Sequence, residues 1–334
     1  MKLSDFDYDL DPSLIAKYPP ADRSSSRLLV YNRKTETTAH KRFENIIDYF
    51  KKGDLVIVNN TRVIHARIYA EKLTGGKVEI LLVEEISKNV WKVLIKGKIR
   101  QETKLLLKND NYGIVKSAEE KLKIVQFKKD IMEYADKYGH IPLPPYIKRA
   151  DEPDDKKCYQ TVYAKRLGAI AAPTAGLHFT NKLIDRLKEK GVKFGELTLH
   201  VGIGTFSPVE VDDIKLHKMH SERFSIGEEL TELYNSTKGK GKIVAVGTTV
   251  IRALESSLNG NRLLETRSGS TELFIYPGRK VKSADAMITN FHLPKSTLLM
   301  LVEAFVGKRL QPIYDEAIRL NYRFYSYGDA MLIL

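Results

Sequence analysis

A mixed α/β fold, one large discontinuous α/β domain carrying a small inserted antiparallel β-barrel, is predicted by three observations. Apolar runs ending in glycine, histidine or hydroxyl residues and leading into helical patterns recur at 168–180, 196–206, 242–255 and 286–296. A stretch of evenly spaced β-rich runs without helical periodicity begins at about residue 67. The 334 residues suffice to bury a sizeable core in one or two domains. A strand, a tight polar turn and a helix start are how α/β enzymes present chemistry at a sheet end, so an enzyme is expected.

Taken in order, the lead-in 5–20 reads as extended, because Pro19-Pro20 forbids helix. Arg27-Leu28-Leu29-Val30-Tyr31 follows as a strand, and Phe43, Ile46, Ile47 and Phe50 have helical spacing. Leu55-Val56-Ile57-Val58 is a buried strand closed by the polar Asn59-Asn60-Thr61-Arg62. Runs at 67–70, 77–83, 90–95, 104–107, 112–116 and 122–127 are separated by turn signals such as Thr74-Gly75-Gly76, and they predict the barrel. Lysines 72, 77, 92, 96, 98 and 104 make it basic, and it holds the one tryptophan, Trp91.

Prolines 142, 144 and 145 stiffen the segment 139–147 into an extended form. It reads either as a linker or, through Tyr146 beside Lys148-Arg149, as a stacking surface for single-stranded RNA. Alternation of strands and helices then resumes. The expected domains are therefore 1–66 with 148–334 for the α/β unit and 67–147 for the barrel. The helix at 296–306 is apolar nearly all round and should be buried, and the chain ends in a strand at 330–334.

Composition narrows the class. Hydrophobic residues make up 43% and charged residues 29%, and no apolar run approaches the roughly 20 residues that span a bilayer. The acid-rich N-terminus lacks the features of a secretory leader, so a cytoplasmic protein with no membrane partner is expected. The one cysteine, Cys158, excludes an internal disulfide and any zinc or iron–sulfur site built on this chain's own thiolates. A net charge of +13 fits either a solvated lysine-rich surface or a polyanionic partner.

Four constellations can carry chemistry. Thr198 and His200 share one strand face, and Gly202-x-Gly204 then lets backbone N–H groups approach a ligand. Gly247-Thr248-Thr249 opens a helix that either threonine can cap, and Arg252, read into its first turn, favours a bound anion. His217-x-x-His220-Ser221-Glu222 has metal-like spacing without matching a known zinc helix motif, so no metal is assigned. Asn290-Phe291-His292-Leu293-Pro294-Lys295-Ser296 sets an amide, an imidazole and an ammonium before a helix start. Glu303 and Asp329 are acids in apolar contexts that demand pairing or function. No phosphate-binding P-loop, dinucleotide glycine fingerprint or nucleophile elbow occurs.

These blocks together resemble the S-adenosylmethionine:tRNA ribosyltransferase-isomerase family of queuosine biosynthesis. The resemblance is carried by Asn59-Asn60-Thr61-Arg62-Val63-Ile64, His140-Ile141-Pro142-Leu143-Pro144-Pro145-Tyr146-Ile147 and Ala171-Ala172-Pro173-Thr174-Ala175-Gly176-Leu177-His178-Phe179-Thr180. Thr198-Leu199-His200-Val201-Gly202, Met219-His220-Ser221-Glu222, Ala245-Val246-Gly247-Thr248-Thr249 and Tyr325-Ser326-Tyr327-Gly328-Asp329 extend it over nearly the whole chain. Asn60, His65, Ile203 and Val250 depart from the family pattern.

The resemblance implies a large α/β domain with a small barrel. It also implies transfer and isomerisation of the ribosyl part of S-adenosylmethionine onto 7-aminomethyl-7-deazaguanine at the tRNA wobble position. The product is then epoxyqueuosine, with adenine and methionine released. S-adenosylmethionine is cosubstrate, no prosthetic group is expected, and the enzyme is expected to act as a monomer on tRNA. On that basis His178, His200 and His292 are candidates for proton transfer, with Glu222 as partner. Thr174, Gly202, Gly204, Thr248, Thr249, Arg252, Asn290 and Lys295 are candidates for the cosubstrate pocket, and Arg62, Tyr146 and Lys148 for RNA. An S-adenosylmethionine-dependent RNA methyltransferase and a non-catalytic RNA-binding protein are the competing readings.

Overall fold

The computed structural model describes residues 1–118, 121–206 and 208–334, without the side chains of Thr205 and Phe206. Strands β1 (Arg27–Asn32), β2 (Thr37–Arg42), β3 (Leu55–Asn59) and β4 (Thr61–Val63) come first. The next six are β5 (Arg67–Lys72), β6 (Lys77–Ser87), β7 (Val90–Lys96), β8 (Lys104–Leu106), β9 (Tyr112–Ser117) and β10 (Lys123–Phe127). They are followed by β11 (Arg166–Ala169), β12 (Lys193–Leu199), β13 (Glu222–Ile226), β14 (Ile243–Val246), β15 (Arg267–Thr271), β16 (Ala286–Asn290) and β17 (Ala330–Ile333).

A nine-stranded sheet runs β15-β13-β12-β3-β14-β16-β17-β1-β2. Its centre, β12-β3-β14-β16, is parallel, while β13 and β17 run against it. Alternation along β3 explains why the sheet is buried on both sides. Leu55 and Ile57 join the core on one face, and Val56 and Val58 the core on the other. The apolar helix Thr297–Val306 lies in the first of these cores, its Ser296 Oγ accepting from the Leu299 N–H at 3.2 Å, as the sequence predicts.

The six predicted β-runs close into an antiparallel barrel, β10-β7-β6-β5-β8-β9, with its own core around Trp91, Val93, Val115 and Val125. Helix Ile131–Tyr138 packs into that core through Ile131, Tyr134 and Ala135.

Three local expectations are corrected. The lead-in is not uniformly extended, because Leu3–Phe6 and Pro12–Leu14 form 3₁₀ turns; Asp11 accepts from the Ser13 N–H at 2.8 Å. The strand before the Pro173 turn stops at Ala169, and residues 170–172 leave the sheet. Residues 139–147 are no free linker: Ile141, Leu143 and Ile147 are buried in the main core, and Arg67 Nη2 donates to the Leu143 carbonyl at 3.1 Å.

Candidate active site

The four parallel strands end at one sheet edge, which is where the sequence clusters its polar residues. β12 lies on one side of β3 and β14 on the other, so the loops after them diverge and open a crevice at the end of β3. Asn59 shapes that edge. Its Oδ1 accepts from the Leu199 N–H at 3.0 Å, and its Nδ2 donates to the Leu199 carbonyl at 2.9 Å. A side-chain amide thus continues the strand pairing one step beyond the backbone, and Nδ2 also reaches Thr249 Oγ1 at 3.3 Å.

After β14 the chain turns at Gly247, whose φ of +94° suits glycine, and enters the helix Thr248–Glu255. Neither threonine caps this helix: the cap position is Gly247, which has no side chain to cap with. This corrects the sequence expectation, because the tight turn brings the helix to the edge one residue early. Arg252 is likewise in the last turn, not the first.

A pocket of about 70 Å³, open to solvent at its mouth, lies at this crevice. Thr174, Ala175, Val201, Gly247, Thr248, Thr249, Asn290 and His292 line it together with Tyr146, Tyr159, Ser296, Tyr325 and Ser326. None of the lining residues among those described is an acid, a lysine or an arginine. Its mixture of apolar wall with a few polar groups suits a small-molecule site.

His292 is buried, and desolvation pushes its imidazole down to about 3, so it stays neutral. Its Nε2 meets Thr289 Oγ1 at 2.9 Å, and that hydroxyl donates to the Asn290 carbonyl at 3.3 Å. A hydroxyl with its proton committed there accepts from Nε2–H, which leaves Nδ1 as the basic nitrogen. Tyr314 and Tyr8 hydroxyls pin the His292 main chain.

On the other side of Val201 a wider cleft separates the sheet edge from the barrel. Val83, Glu84, Trp91 and Lys92 of the barrel line it opposite Thr198, His200, Arg223 and Ser270. Val201 is common to this cleft and to the cavity. His200 Nδ1 shares a 2.8 Å hydrogen bond with Thr61 Oγ1, and burial, reinforced by the Arg223 charge, lowers its pKa. Gly168 holds φ +143° beneath it; a Cβ there would lie 2.8 Å from the imidazole ring.

Glu222, which lines the cleft, is held by an ion pair. Arg252 bonds Glu222, with side chains only 6% and 3% exposed, and Glu222 Oε1 accepts from the Gly202 N–H at 3.0 Å. Arg252 Nε also donates to the Leu273 carbonyl at 3.1 Å. Arg252 therefore orders the Gly202 turn and is committed to Glu222. Gly204 packs against the His220 side chain.

Of the predicted residues, Thr174, Thr248, Thr249, Asn290 and His292 meet in the cavity, and Tyr146 joins them from the segment read as an RNA surface. His200, Gly202 and Glu222 share the cleft. His178 lines neither. It is 3% exposed, its Nδ1 lies 2.8 Å from Ser26 Oγ, its ring packs on Phe43, and burial pushes it down to about 4. The Asn290 side chain faces it, yet neither His178 Nε2 nor Asn290 Oδ1 has a hydrogen bond of normal geometry.

Lys295 is away from the cavity, paired with Asp7 at 2.6 Å, a half-exposed bridge of little energetic weight. Arg62 and Lys148 are exposed, and Arg62 pairs in register with Leu167, which lines the cleft. Asp329 is buried and bonded by Arg27, and Glu303 accepts from the Leu310 N–H at 3.2 Å, so both acids are paired. Sequence reasoning missed Tyr159, Tyr325, Ser326 and Val201 as cavity residues. Val201, Tyr325 and Ser326 were signalled only by membership in the quoted blocks, and nothing in periodicity or charge distinguishes Tyr159 and Tyr325 among the 17 tyrosines.

A profile of the family described as "Queuosine biosynthesis protein" matches residues 3–333. The chain is 49% identical over 340 residues to the S-adenosylmethionine:tRNA ribosyltransferase-isomerase of Sulfurihydrogenibium sp. (strain YO3AOP1), covering both chains in full. It is also 49% identical over 339 residues, with full coverage of both, to the protein of that name from Aquifex aeolicus. The crystal structure of S-adenosylmethionine tRNA ribosyltransferase from Thermotoga maritima aligns at TM-score 0.58 and 38% identity, over 99% of this chain and 100% of that one. With a full-length profile match and close relatives along its entire length, the chain belongs to the queuosine biosynthesis protein family.

Proposed function

We propose that this chain transfers and isomerises the ribosyl part of S-adenosylmethionine onto 7-aminomethyl-7-deazaguanine at the wobble position of tRNA. The carrying observation is the shared wall at Val201, with the pocket on one side and the barrel-facing cleft on the other. On this reading the cavity takes the small cosubstrate, and the cleft admits the base, swung out of the anticodon stack. Residues 67–147 then act as an inserted unit that roofs the cleft. Arg62 and Lys148 contact phosphates, which position the RNA without reading its sequence.

On this reading His292, through Nδ1, removes a proton from the carbon beside the sulfonium. The electron pair of that C–H bond opens the sugar ring, and adenine leaves with a proton. Ring opening with loss of adenine leaves a vinyl sulfonium and an aldehyde at the former anomeric carbon. The tRNA amine adds to the vinyl carbon, and the carbanion formed beside sulfur attacks the aldehyde to close the five-carbon ring. The resulting alkoxide displaces methionine as the epoxide forms. The neutral cavity helps: the base becomes cationic as the sulfonium is discharged, so the enclosed charge is conserved. His200, on the cleft side, is set to receive the proton that the attacking amine loses.

The test is product analysis by mass spectrometry, with purified protein, S-adenosylmethionine and tRNA bearing the 7-aminomethyl-7-deazaguanine base. Adenine, methionine and an epoxycyclopentane nucleoside are expected. S-adenosylhomocysteine in their place would mean methyl transfer and would overturn the proposal.

A further inference from the structure

The charge-free wall of the cavity poses a problem for a cationic ligand. A cation moved from water into such a space loses hydration and requires compensation. No acid lines the cavity among the described residues. Three tyrosines do: Tyr146, Tyr159 and Tyr325.

Two of them pack on each other, and all three contribute to the same wall. Tyr146 and Tyr325 have ring centroids 3.9 Å apart with planes inclined at 59°, so they form a corner and not a parallel stack. The Tyr146 hydroxyl is held by Ser326 Oγ at 2.5 Å, which fixes the ring. Tyr325 has φ +72°, a left-handed backbone that bulky residues seldom adopt and that persists where surrounding structure imposes it, often at a functional site. Burial raises the pKa of all three phenols, so the rings stay neutral and electron-rich.

We propose that Tyr146, Tyr159 and Tyr325 recognise the sulfonium of S-adenosylmethionine through their ring faces, selecting it over the neutral thioether S-adenosylhomocysteine. This rests on reading the cavity as the cosubstrate site. Cation–π attraction in a desolvated setting supplies roughly a two- to thirtyfold preference per ring. It has a kinetic use, because the charge disappears when methionine forms and the attraction that held the substrate does not hold the product.

The experiment is equilibrium dialysis of both ligands against the full chain, with saturating unmodified tRNA present so that no turnover occurs. The wild type is expected to prefer S-adenosylmethionine at least tenfold. Tyr146→Leu and Tyr325→Leu should each cut that ratio severalfold, while Tyr146→Phe and Tyr325→Phe, which keep the rings, should preserve it. Thermal melts identify a variant that has not folded, and the Phe variants then carry the test: a ratio lost in a folded Phe variant overturns the proposal. Equal binding of both ligands by the wild type overturns sulfonium recognition but leaves the cosubstrate site standing. So does a loss in the Leu variants that is the same for both ligands, which would assign the rings to adenine stacking. Failure of the folded wild type to bind S-adenosylmethionine at all removes the parent reading as well.

Discussion

Glu222, at the head of β13, and Arg252, in the last turn of the helix Thr248–Glu255, form a buried ion pair that holds the Gly202 turn in place. Removing one partner of such a pair leaves an uncompensated buried charge. Arg252→Met is therefore expected to destabilise the protein by about 3–5 kcal/mol, read from the urea midpoint. The double variant Arg252→Met with Glu222→Leu should recover much of that loss. If the single variant is as stable as the wild type, the pair has no structural weight.

His292 and His178 should separate chemistry from support. His292→Ala is expected to lower kcat by about 10²–10⁴ while cosubstrate binding persists, as removal of a general base does. His178, which lines neither cavity nor cleft, should on change to Ala lower stability more than kcat. Single-turnover rates beside thermal melts distinguish the two, and equal kinetic losses would contradict the assignment.

Acid should weaken the fold in a defined window. Burial pushes His178 down to about 4 and His292 down to about 3, from an ordinary 6.5. Below pH 6.5 the unfolded chain takes up protons at both sites while the folded chain does not, so unfolding gains ground as pH falls. Stability is fullest above pH 6.5 and drops by about 1.4 kcal/mol per pH unit per histidine beneath it. Tm between pH 7.5 and 4.5 should fall, and His178→Gln should flatten the slope. An unchanged Tm across that range in the wild type would refute the account.

Affinity for tRNA should depend on salt through the exposed cations. Arg62→Ala and Lys148→Ala are each expected to reduce the slope of log K against log salt by about one, since each releases about one counterion. Tyr146→Leu should leave the slope unchanged, because that ring lies in the cavity wall. Filter binding between 50 and 200 mM salt, a span of roughly the range in which such slopes are measured, gives the comparison.

The barrel was open to reading from the chain because its information is local. Each strand alternates inward and outward residues between turn signals, as in β7, where Trp91 and Val93 are buried beside partly exposed Lys92. The strand-end clusters were legible for the same reason: a parallel strand must place its polar closure at its end. The capping of Thr248–Glu255 was misjudged because a threonine next to a glycine offers two registers, and the turn at Gly247 selects between them. That Tyr146 lines the cavity was not legible, because a proline-rich run looks the same whether it lies free or is packed by Ile141, Leu143 and Ile147.

From its residues alone, this chain disclosed its mixed α/β fold class, its small antiparallel barrel and the polar blocks that gather at the strand ends, since periodicity, turns and motif blocks are written along the backbone. The sharing of that group between a cavity and a cleft was settled by the sheet order, which sets β12 and β14 on opposite sides of β3. Packing likewise decided that Arg252 answers Glu222, that Lys295 answers Asp7, and that three tyrosines distant in sequence meet at one wall. Contacts of this kind join residues far apart along the chain, and only the folded backbone brings them within reach.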